Sequence, residues 1–169
     1  MPENPPALKP LSKGAIEAAL ERAHHYRLLN EPRQAESICL DILEIDAENQ
    51  KALVLLLLAM TDAFSESTEG TSRALALLPR VSGEYGRAYY LGLIHERHAR
   101  AVVARGGHGS GYIAHADLGR AMRAFEAAES LRPPGNDDAI LRYNACVRFI
   151  TSTPSIREAP LADSSDLTE

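Results

Sequence analysis

The stretch ALERAHHYRLLNEPRQAESICLDILEIDAEN, residues 19–49, reads as two helices joined by a tight reversal. Ala19, Leu20, Ala23 and Tyr26 recur at spacings of three and four, and Ile16 extends the stripe backwards, which predicts a helix from Lys13 to Leu29. Asn30 tolerates left-handed backbone, and Pro32 fits the first turn of the helix that follows. That second helix turns Ala35, Ile38, Cys39, Ile42 and Ile45 inward before Asp46-Ala47-Glu48-Asn49 breaks it.

Downstream the same alternation continues. The apolar run Ala52 to Met60 belongs to a third helix reaching Phe64 and buried on several sides. It is far shorter than the roughly 20 residues a membrane helix requires. SESTEGTS supplies capping groups ahead of a short fourth helix, Ser72 to Leu78. A fifth helix is expected from Gly83 to Ala104, then a glycine-rich insertion loop over about 105–115, then a sixth helix from Ala116 to Leu131. Asn136-Asp137-Asp138 opens the last helix, since its side-chain oxygens cap free amides and its charge suits the positive dipole end.

The boundaries drawn on this pattern are a flexible N-terminal tail over 1–12, broken by four prolines, a helical domain over 13–151, and a flexible acidic tail over 152–169. Hydrophobic residues make up 45% of the chain and aromatic residues only 5%, so alanine and leucine must fill the core, and an all-α class follows. The formal charge of −5 disfavours nucleic acid as a partner. Cys39 and Cys146 lack CxxC spacing and lie in apolar stretches, which suits buried thiols in a reducing compartment, and the start has no secretory pattern, so a cytoplasmic location is expected.

Within residues 19–49, Ala23, Tyr26, Ala35, Cys39, Ile42 and Ala47 fall where the tetratricopeptide repeat has a small residue, tyrosine, alanine, an aromatic, alanine and proline, and the stretch resembles that helix-turn-helix unit. AMRAFEAAESLRPPGN, residues 121–136, matches again through Ala121, Phe125, Ala128 and Pro133, with Leu91, Gly92 and His95 as its front half. The interval from Gly92 to Ala121 is longer than the family's, which makes GGHGSGY an insertion, and the unit between, Gln50 to about Arg80, is degenerate. The resemblance implies a right-handed superhelix of about three hairpins closed by a C-terminal capping helix, a non-catalytic adaptor whose concave face takes a partner polypeptide. The family's carboxylate clamp is not carried over, because Leu20, His24, Leu55 and Tyr90 stand at its positions.

Tyr89, Tyr90, Leu93, Glu96 and Arg97 on the fifth helix, with Arg142 on the last, instead offer an aromatic and charged composition suited to a protein contact. Apolar surface at the end of a short solenoid makes self-association a second route. A rival reading is a metal-binding or catalytic helical protein using His95, His98, His108 and His115. Against it, there is no HExxH, Glu96 points away from the His95/His98 pair, and His95 stands where the repeat has a packing tyrosine. The expectation is therefore no metal, no cofactor and no enzyme. The glycine loop lacks the GK[ST] ending of a phosphate cradle and follows a helix rather than a strand.

Overall fold

The computed structural model describes residues 6–66 and 69–160. Among the described residues there are seven α-helices and no strand: α1 (Ile16–Leu28), α2 (Pro32–Ile45), α3 (Gln50–Asp62), α4 (Glu69–Leu77), α5 (Glu84–Arg105), α6 (Ser110–Leu131) and α7 (Asp138–Ser152). The all-α class is as the composition requires. The chain falls into two compact units, Met1–Ser82 and Gly83–Glu169.

In the first unit, α1 closes where Asn30 adopts a positive φ of 58°, and Pro32 starts α2. Asn49 caps α3 by accepting a hydrogen bond from the Ala52 amide at 3.0 Å. Ion pairs mark the relative directions of the helices. Glu17 meets Lys51 at 3.2 Å, and Arg27 meets Asp62 at 2.7 Å. The starts of α1 and α3 are thus together, as are their ends, so the two run side by side in one direction. Glu36 of α2 likewise pairs with Arg73 of α4. α1 packs on α2, α2 on α3 and α3 on α4, and α1 also touches α3. Ala23, Ala35, Cys39, Ile42 and Ala52 are wholly buried between them.

The second unit is a long hairpin with a third helix laid against it. Tyr89 and Gly92 meet Phe125, while His95 and His98 meet Asp117, so α5 and α6 pair in opposite directions. Gly92 is required by this approach, since a Cβ there would lie 2.5 Å from the Phe125 ring. The reversal occupies only the residues between Arg105 and Ser110, where Gly106, Gly107 and Gly109 all take positive φ. The expected insertion loop over 105–115 is therefore mostly helix. α7 packs on α6 and, to a lesser extent, on α5.

Both terminal segments differ from plain tails where they are described. Leu11 packs against the Leu20, Ile42 and Ala52 cluster, whereas Leu8 is exposed. Beyond α7, Ile156 is buried in the core of the second unit. Residues 1–5 and 161–169 of the expected tails lie outside the described residues.

Candidate functional site

An apolar groove lies where α1 and α3 run side by side. Leu20 and His24, one turn apart on α1, form one wall; Gln50, Lys51, Val54 and Leu55 on α3 form the other, around a volume of about 460 Å³. Its position follows from helical spacing. Leu20 and Ala23 turn to the core, so His24 stands at the rim; on α3, Ala52, Leu53 and Leu56 turn to the core, so Val54 and Leu55 remain half-buried. The rim is polar and braced. Gln50 donates to the Arg80 carbonyl at 3.3 Å and accepts from the Ser82 amide at 2.8 Å, and Lys51 is held by Glu17. A second hollow, of about 570 Å³, lies between α2, α3 and α4, where Leu40, Leu43 and Leu56 are accompanied by Glu44, Arg73 and Arg80.

Of the six side chains expected to present a contact surface, Leu93 and Glu96 are buried and Tyr89, Tyr90, Arg97 and Arg142 are half-buried. Leu93 and Glu96 are each only 1% exposed, so neither reaches an outside partner as the chain stands. The physical reason is that every residue from Tyr85 to Val103 is buried or half-buried, so α5 is covered on more than one side along that length. Tyr89 packs between rings, stacked 5.9 Å from Tyr85, edge-on 5.3 Å from Tyr90 and tilted 5.9 Å from Phe125. Tyr90 and Arg97 are half-buried and already engaged. Arg142 is turned towards Glu96 at 3.5 Å and hydrogen-bonds Tyr89; burial works against its charge, but these partners outweigh that and raise its pKa. Glu96 also accepts from Arg100 at 3.1 Å, and the Arg100 guanidinium lies over the Phe149 ring at 4.3 Å. These contacts tie α5 to α7.

The histidines divide. His95 and His98 converge on Asp117 of α6, with Nδ1 of His95 at 3.1 Å from one carboxylate oxygen and Nδ1 of His98 at 2.6 Å from the other, while Arg120 donates at 2.9 Å. A carboxylate only accepts, so both Nδ1 atoms carry protons. Burial would raise the Asp117 pKa, but hydrogen bonds from His95, His98 and Arg120, with the charge of His98, hold it down to about 2. His108 is exposed in the glycine turn and His115 is half-buried on α6. Among the described residues, no group of three or more His, Cys, Asp and Glu side chains is arranged to hold a metal ion.

Asp117 escaped the sequence reading although a signal existed, since it lies on the stripe of Ala114, Leu118 and Ala121, where a carboxylate is out of place. Cys39 and Cys146 are both buried, and burial pushes each thiol up to about 12, far from the thiolate a nucleophile requires. No helix of the described residues is long and apolar enough to cross a membrane. Comparison of the chain with family models, with curated proteins and with solved structures finds no match.

Proposed function

We propose that the chain is a tetratricopeptide-like adaptor of the right-handed superhelical kind, without catalytic activity, that binds a segment of another polypeptide along the groove between α1 and α3. The observation that carries this reading is the pair of ion contacts, Glu17 with Lys51 and Arg27 with Asp62, which align α1 and α3 as the first helices of successive hairpins. Stacking of that kind leaves a furrow between first helices, and here the furrow is apolar at its floor and polar at its rim. The Gly92 to Phe125 contact supports the same reading in the second unit, because the two residues stand at the repeat's small and aromatic positions. A contact module is favoured over histidine chemistry here because Asp117 is buried beneath His95 and His98, and His108 stands exposed in the glycine turn.

The test is a photo-reactive amino acid placed at Val54, with Leu40 in the other hollow as the comparison. The partner caught at Val54 is then purified and titrated against the unaltered chain and Val54→Asp. The expected result is an adduct at position 54, and an affinity at least about tenfold weaker for Val54→Asp, the loss typical of removing a contact worth over 1 kcal/mol. Adducts at position 40 alone, or an unchanged affinity, would remove the groove from the proposal.

Self-association is a second reading favoured by one observation: Leu131, Leu141 and Val147 are exposed, the last two on the outer side of α7. Light scattering over a concentration series should then show mass rising with concentration, with Leu141→Lys abolishing the rise. A monomer at every concentration would end it.

A further inference from the structure

We propose that residues 153–157 form a detachable strap over an aliphatic pocket of the second unit, and that the vacated pocket recognises an extended segment of another polypeptide bearing a branched aliphatic side chain followed by arginine. This is independent of the α1/α3 groove.

The strap begins where α7 ends. The Thr153 amide donates to the Ile150 carbonyl at 3.3 Å and the Ile156 amide to the Thr153 carbonyl at 2.9 Å, so its backbone hydrogen bonds are local. Ile156 is the one buried residue from 153 to 160; Pro154, Ser155 and residues 157–160 are exposed. It joins the cluster built by Ala99 of α5, Ala114 and Leu118 of α6 and Cys146 of α7.

Two further features sit beside that anchor. The Ser155 carbonyl rests on Gly111 so closely that a Cβ there would lie 1.8 Å from its oxygen. The Arg157 guanidinium lies over Tyr112, 5.7 Å from the ring centroid, and donates to the hydroxyl at 3.4 Å. A pocket for one aliphatic side chain, a glycine ledge for close passage of a backbone, and an aromatic ring for a cation are together the parts of a peptide-recognition site. The chain's own Ser-Ile-Arg fills it and shows the chemistry it accepts.

One anchor side chain between exposed neighbours is a weak hold compared with a helix face. The tether compensates, because the short connection from Ser152 keeps the strap at high effective concentration. A competitor in trans meets an occupied pocket until the strap is lifted.

The test uses the full chain carrying Ile156→Ser and a fluorescent peptide TPSIREAP, the sequence of residues 153–160. The variant should bind the peptide at least tenfold tighter than the unaltered chain. Adding Gly111→Ala should abolish binding, as should serine in place of isoleucine in the peptide. Hydrogen exchange on the unaltered chain should find the Ile156 amide at least tenfold less protected than that of Leu118. Equal binding by variant and unaltered chain, binding indifferent to the peptide's isoleucine, or equal protection would each overturn the proposal. So would loss of helical circular dichroism in Ile156→Ser, which would make Ile156 permanent core.

Discussion

Asp117 is a carboxylate with a side chain only 6% exposed, and it stays ionised because His95, His98 and Arg120 all donate to it. Its pKa is lowered from 3.8 to about 2, so the stability it contributes is present above the ordinary value and is lost as pH falls from about 4 towards 2. Asp117→Asn should cost about 2 kcal/mol at neutral pH, since two imidazoles and a guanidinium lose their charged acceptor but sit near enough to solvent to recover part of the loss. Urea melts from pH 5 to pH 2 should show the unaltered chain losing stability more steeply than the variant; parallel profiles would contradict the assignment. Gly92 poses the opposite problem, one of space. Alanine there gains about 1 kcal/mol of helix propensity but forces a fully buried Phe125 ring to move, an overpacking cost of about 1–3 kcal/mol. A net loss of about 1 kcal/mol is expected in denaturant melts, and Phe125→Leu in the same chain should recover part of it.

Among elements, the first hairpin shows how caps and periodicity act together. Asn49 accepts from the Ala52 amide and so settles where α3 begins; Asn49→Ala should cost about 1 kcal/mol, read as a lower urea midpoint with an unchanged slope. This hairpin was legible in the sequence because Ala23, Ala35, Cys39 and Ile42 recur at helical spacing and every one is buried. The start of α6 was not. Glycine at 109 and 111 suggests a loop by propensity, yet Gly109 serves as the N-cap, Gly111 lies beneath the strap and Ala114 is wholly buried, so packing overrides the local cost. α6 therefore starts at Ser110 rather than Ala116, and Asp117 lies two turns inside it. Glu96 and Leu93, expected at a contact surface, are buried for a separate reason: a stripe identifies one buried face of a helix, whereas α5 is enclosed on more than one.

At the scale of the whole molecule, helical class follows from composition, but the division at Gly83 does not, because periodicity reports which side of a helix is apolar and not which helices share a core. Each unit happens to hold one free cysteine, Cys39 in the first and Cys146 in the second, both buried and both kept protonated by burial. Alkylation of either therefore has to wait for local opening, which turns the pair into a built-in two-channel clock. A mass-spectrometric time course with a thiol reagent would read the opening of each unit separately in one unlabelled sample, with Asn49→Ala quickening the first channel and Asp117→Asn the second.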